Sequence, residues 1–237
     1  MSAANPSFPS SSALPEPSGS QSAEDLGSFE RWRRSAAWIT GLGLTPEQEA
    51  ARAKEQVRKN NESQWEQCQK WKTDLMWNSP AIGFMRKHMA LLGQPVTPEQ
   101  LSCQPCSAIR GGGMAKDGSI LLCQNRIWDK QKMEDTIMHE LVHAYDRAKF
   151  DLDLQNCRHH ACTEIRANNL SGDCKWNREV TRGFFGFTKQ HQACVRRRAL
   201  MSLAQNPACS APGVAERAVD DVWESCIKDT RPFDEIF

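Results

Sequence analysis

The stretch Met133-Glu-Asp-Thr-Ile-Met-His139-Glu140-Leu141-Val142-His143-Ala-Tyr-Asp146 decides how this chain is read. Ile137, Met138, Leu141 and Val142 recur at helical spacing and offer one apolar face for burial. Residues four apart share a helix face, so the imidazoles of His139 and His143 can reach one metal ion. Glu140 follows the first histidine and sits beside the coordination position left open for water. In such a site zinc lowers the pKa of its water toward ~7 and polarises a substrate carbonyl. The carboxylate takes the proton of that water and later passes it to the leaving amine. Two histidines one turn apart are ordinarily surface or core residues. Here the apolar-flanked helix, a preceding strand and a downstream helix with a suitable third ligand argue for the metal. A peptidase using Zn2+, one ion per chain, is the expectation, with His139 and His143 as metal ligands and Glu140 as the catalytic residue.

Four residues compete as third ligand: Glu164, His159, His160 and Asp146. Asp146 lies seven residues beyond His139 on the same helix, about 10 Å in rise, and fits better as a group that orients a neighbour. Glu164 lies on the next predicted helix, 21 residues after His143. That spacing resembles peptidases whose third ligand is a glutamate on a following helix, so Glu164 is the preferred metal residue. His159 and His160 remain open. An oxyanion donor is also required, and Tyr145, Arg166 and His191 are considered for it.

Outward from this stretch, Ser119-Ile-Leu-Leu-Cys123 reads as a strand, punctuated upstream by Gly111-Gly112-Gly113 and Lys116-Asp117-Gly118. An extended substrate could add to it as a further strand. Thr45-Pro-Glu-Gln48 starts a helix through a capping box, running to about Trp77 with a break possible at Asn60-Asn61. Further helices are predicted over 81–92, 130–148, 158–171, 188–205 and 213–228. Residues around Trp32 and Trp38 read as linker. The Ser/Pro-rich opening, 1–27, is expected to be a disordered tail. The remainder, 28–237, is expected to form one metallopeptidase domain, with N-terminal helices over 45–92 and a catalytic part over 103–237. The fold class is α+β: mostly helical and zincin-like, with a small sheet or hairpin before the metal-binding helix.

Ten cysteines are scattered from Cys68 to Cys226. Their even number and spread point to a disulfide framework and an oxidising compartment. The rival is a second, structural zinc on Cys103-x-x-Cys106 and Cys123, a weak signal with one CxxC alone. Residues 1–22 show neither a secretory signal nor an arginine-rich transit pattern. The mitochondrial intermembrane space would reconcile oxidised cysteines with that absence. Arg196-Arg197-Arg198 reads as a solvated helix face, with anionic lipid as the alternative. The eight tryptophans are expected mostly in the core or a lid.

The 30 Lys+Arg against 29 Asp+Glu give no basic excess, so no nucleic-acid partner is expected. A mean hydropathy of -0.62 and the lack of a long apolar run oppose a transmembrane helix.

From about residue 45 onward the sequence resembles the mitochondrial inner-membrane metalloprotease family that matures and helps assemble ATP synthase subunit a. The resemblance is carried by HELVHAYD (139–146), RHHACTEIRANNLSGDC (158–174), CVRRRAL (194–200) and DDVWESCIKDTRPFDEIF (220–237), with CQPC and ILLCQN before them. It implies a disulfide-bonded protein held peripherally on the intermembrane-space side of the inner membrane. It implies removal of an N-terminal segment from the ATP synthase subunit a precursor, and chaperoning of that subunit into the membrane sector. The alternative is a non-enzymatic assembly chaperone with a structural or vestigial metal site. The intact HExxH favours the peptidase, since a structural zinc has no need of Glu140.

Overall fold

The computed structural model describes residues 27–108, 110–115, 117–186 and 189–235. Apart from Gly27, the expected N-terminal tail lies outside them. The chain clusters into two compact units, one up to Glu62 and one from Ser63 onward.

In the first unit, Ser28–Thr40 forms helix α1, stopped by Gly41 in the left-handed region at φ 79°. The expected linker around Trp32 and Trp38 is therefore helical. Helix α2, Pro46–Asn78, begins as predicted. The Thr45 and Gln48 side chains and backbones bond reciprocally at 3.0 and 3.3 Å. No break occurs at Asn60-Asn61. Arg58 pairs with Glu55 and Glu62 across that stretch and supports the exposed turns.

The second unit holds the rest of α2, then α3 (Pro80–Leu91), capped by Ser79 through the amide of Ile82. Three short strands follow: β1 (Leu101–Gln104), β2 (Gly112–Met114) and β3 (Ile120–Cys123). The order is β1-β3-β2, with β3 central, parallel to β1 and antiparallel to β2. This corrects one expectation. Both edges of β3 are occupied, so only the edge strands β1 and β2 are left to be extended.

Helix α4 (Lys130–Lys149) starts at Asp129, whose carboxylate accepts the Lys132 amide at 2.5 Å. After it come α5 (Cys157–Leu170), the short α6 (Trp176–Thr181), α7 (Gln190–Leu203) and α8 (Val214–Cys226). The expected apolar stripe of α4 is buried: Ile137, Leu141 and Val142 are fully enclosed among Leu75, Ile82, Met85 and Leu122. A second core joins Ile165 of α5 to Val195 and Leu203 of α7 and Val219 of α8. Helix α5 packs on α4, α7 and α8, and so lies between the two cores.

All ten cysteines pair: Cys68–Cys103, Cys106–Cys123, Cys157–Cys209, Cys162–Cys226 and Cys174–Cys194. Three of the bridges tie α5 and the loop after it to α7, α8 and the loop between them. The loops closed span 17 to 64 residues, for which chain entropy gives on the order of 3 to 4.5 kcal/mol each. Cys103 and Cys106 go to different partners, which removes the cysteine-based second zinc.

Candidate metal centre and its cleft

A cleft of about 740 Å³ opens over α4, walled by β2 on one side and by α5 and α7 on the other. His139 and His143 point into it from adjacent turns of α4, with Nε2 atoms 3.1 Å apart. From α5, Glu164 reaches both: Oε1 lies 3.5 Å from His143 Nε2 and Oε2 lies 3.8 Å from His139 Nε2. Among the described residues, these three form the one such group of His, Cys, Asp and Glu side chains close enough to hold an ion.

The hydrogen bonds settle which atoms face inward. Asp146 is buried and ion-paired to Arg166, so its carboxylate accepts the Thr163 hydroxyl at 2.8 Å. The Thr163 oxygen therefore accepts the Nδ1–H of His143 at 2.9 Å. That leaves His143 Nε2 as a lone pair aimed at His139 and Glu164. Two nitrogens bound to one tetrahedral zinc lie ~3.3 Å apart, close to the spacing found here. Two imidazole lone pairs so close repel unless a proton or cation lies between them, so this donor set fits a metal ion.

Electrostatics agree. Burial, with His143 alongside, pushes His139 down to about 3. Burial also works against a charge on His143, but the Glu164 carboxylate, aided by Glu140 and Asp146, raises it to about 9. With no ion between them, the one extra proton of the pair goes to His143, at the Nε2 whose lone pair an ion would use. Burial disfavours the Glu164 charge, yet His143, His160 and His139 outweigh it and hold the carboxyl well below its usual range. Glu140 moves the other way. Burial lifts it to about 7, reinforced by Glu164 and opposed by His143 and Arg110.

Glu164 is held by more than the histidines. Ser202 of α7 donates to Oε1 at 2.6 Å, and Asn168, itself held by Arg198, donates to Oε2 at 3.3 Å. His160 accepts the Asn206 amide at Nδ1, so its Nε2–H faces Glu164 Oε1 at 3.7 Å. Without a lone pair on that side, His160 supports the carboxylate rather than joining the ligand group. His159 is exposed and accepts the Asp153 amide instead. Thr163, Asn168 and Ser202 escaped the sequence reading, because only the packing of α5 on α4 and α7 brings them to the site.

The three residues considered for the oxyanion lie elsewhere. Tyr145 is buried in the core, Arg166 binds Asp146 and the C-terminal chain, and His191 bonds Cys174 and Asn169. The arginine triplet is a half-exposed face whose members are ion-paired. Arg196, Arg197 and Arg198 pair with Asp220, Glu179 and Asp173 in turn.

The glycine run places β2 against α4. A Cβ on Gly112 would come within 2.7 Å of the Leu121 carbonyl oxygen and 2.8 Å of Thr136 Cγ2, which only glycine avoids. The Cys123 amide bonds the Gly111 carbonyl and the Ala115 amide bonds the Ser119 carbonyl. By antiparallel alternation, the backbone groups of Gly112 and Met114 then face away from β3.

A family model described as the peptidase M76 family matches residues 66–234, which include every cysteine and the whole site. The chain belongs to the peptidase M76 family. Relatives named "Mitochondrial inner membrane protease ATP23" match it nearly end to end. That of Eremothecium gossypii is 43% identical, covering 98% of each chain. Those of Candida albicans and Saccharomyces cerevisiae are 42% and 40% identical, covering 90% and 91% of this chain and 91% and 99% of their own. No solved structure matches. The family and the names of these relatives support a protease role for the chain.

Proposed function

We propose that the protein is a zinc metalloendopeptidase of zincin-like fold, in which His139, His143 and Glu164 hold one ion and Glu140 moves the proton. Its substrate is the ATP synthase subunit a precursor, from which it removes an N-terminal segment. It also chaperones that subunit into the membrane sector, and it acts peripherally on the intermembrane-space side of the inner membrane. The observation that carries the reading is the convergence of His139, His143 and Glu164 around one point, with the buried Glu140 beside them. Bound there, zinc supplies a Lewis acid and an acidified water.

The chain supplies the rest. Thr163 and Asp146 keep His143 in one tautomer. Glu140, pushed up to about 7, can both take and return a proton near neutrality. The outer edge of β2 offers backbone groups to an extended peptide. The segments quoted above support the subunit a precursor as substrate. The printed names of the relatives support the inner membrane, and the five disulfides support an oxidising compartment. Among the described residues no helix is long and apolar enough to cross a membrane, which agrees with peripheral attachment.

The test is to incubate purified oxidised protein with a peptide spanning the N-terminal segment of the subunit a precursor, and to read the products by mass spectrometry. Cleavage at one site by the wild type, lost in Glu140→Gln, is expected. In cells, Glu140→Gln should leave subunit a assembly intact. Absence of cleavage by metal-loaded wild type would remove the endopeptidase half of the proposal.

A further inference from the structure

Helix α1 lies before the residues matched by the family model and takes no part in the site. Phe29, Trp32 and Ile39 fall at positions i, i+3 and i+10, so they share one face. They are 68%, 65% and 74% exposed, and Leu42 just beyond is 76% exposed. The Phe29 and Trp32 rings stack at 5.9 Å. Among the described residues, none covers the three large side chains of this face. Ala36, a small residue within the stripe, is half-covered, as are Glu30, Ala37 and Trp38 on the other side. There Arg52 of α2 holds the Trp38 and Ile39 carbonyls at 2.6 and 2.8 Å.

Charge completes the pattern. At 3.6 residues per turn, Arg31 and Arg33 lie roughly 90° to 110° to either side of the apolar stripe, with Arg34 behind. Within Ser28–Thr40 three arginines stand against one acid, Glu30, which pairs with Arg33. A stripe of aromatic and aliphatic side chains flanked by arginines suits the boundary between headgroups and acyl chains of an anionic bilayer. A protein groove would match the apolar stripe but gives no reason for cations on both flanks.

We propose that α1 is an interfacial helix that lays Phe29, Trp32 and Ile39 into an anionic lipid surface, with Arg31 and Arg33 on the headgroups. This rests on the reading that the protein works at the inner membrane, and names the element that attaches it.

The experiment is flotation of the full-length oxidised protein with phosphatidylcholine vesicles, with and without phosphatidylglycerol. Wild type should float with the anionic vesicles and be released by salt. Phe29→Ser/Trp32→Ser/Ile39→Ser should abolish flotation. Arg31→Gln/Arg33→Gln should weaken it about fivefold per charge removed. Both variants should keep wild-type metal content and circular dichroism, so that lost binding is not lost folding. Flotation of the triple variant equal to wild type would overturn the role of α1 while leaving membrane attachment standing. Equal flotation on neutral vesicles would overturn the charge argument. No flotation of wild type would overturn the proposal and point to a protein covering this face.

Discussion

The Nδ1 of His143 lies 2.9 Å from the Thr163 hydroxyl, which in turn donates to the buried Asp146 carboxylate at 2.8 Å. One α5 side chain thus sets the tautomer of one α4 histidine. Thr163→Val keeps the shape and deletes the relay. Metal affinity should fall about 10- to 100-fold with little change in fold. Competition with a chelator of known affinity measures it, and unchanged affinity would mean that the relay does not orient the ligand.

Glu140 is buried at the cleft wall and needs no charge to pack. Glu140→Gln should therefore retain the metal and the thermal stability of the wild type. Peptide cleavage should drop about 10²- to 10⁴-fold, the range for loss of a positioned acid–base group. Metal analysis beside a cleavage assay separates this from loss of the ion.

At Gly112 any side chain collides with the backbone of Leu121 and with Thr136. Gly112→Val should cost about 1–3 kcal/mol through overpacking. It should also push β2 away from α4 and raise KM for an extended peptide more than it lowers kcat. Denaturant unfolding and steady-state kinetics report the two effects, and an unchanged KM would detach β2 from substrate binding.

Asp173 is enclosed by Lys132 and Arg182, each at 2.8 Å, and by Arg198. Burial works to raise its pKa, and the three cations outweigh it, so the folded-state value lies below the ordinary carboxylate range. A depressed carboxyl contributes stability above its unfolded pKa of ~3.9 and loses it as pH falls toward the folded value. Thermal melts of metal-free protein should therefore decline below about pH 4. Asp173→Asn should be less stable at pH 7, by about 3–5 kcal/mol, and flatter through the acid range.

How far the sequence carried varied with the range of the interactions involved. Helix α4 was legible because a 3.6-residue apolar period and the two histidines coincide in one segment. The start of α2 was legible because Thr45 and Gln48 cap it locally. Strand β2 was not, since Gly112 and Gly113 have low strand propensity and are held there by pairing to β3. The parallel partner β1 likewise depends on a contact that local pattern does not encode. Helix α1 was hidden by an apolar stripe turned outward, contrary to what burial leads one to seek. Glu164 could be picked out by spacing, whereas Ser202 and Asn168 beside it depend on how α7 and α5 pack.

The most direct measurement is the metal content of purified oxidised protein, wild type beside His143→Ala and Glu164→Ala. One zinc per chain is expected in the wild type and its loss from both variants, all three remaining folded by circular dichroism. Zinc retained at full occupancy in Glu164→Ala, or absent from a folded wild type, would contradict this expectation.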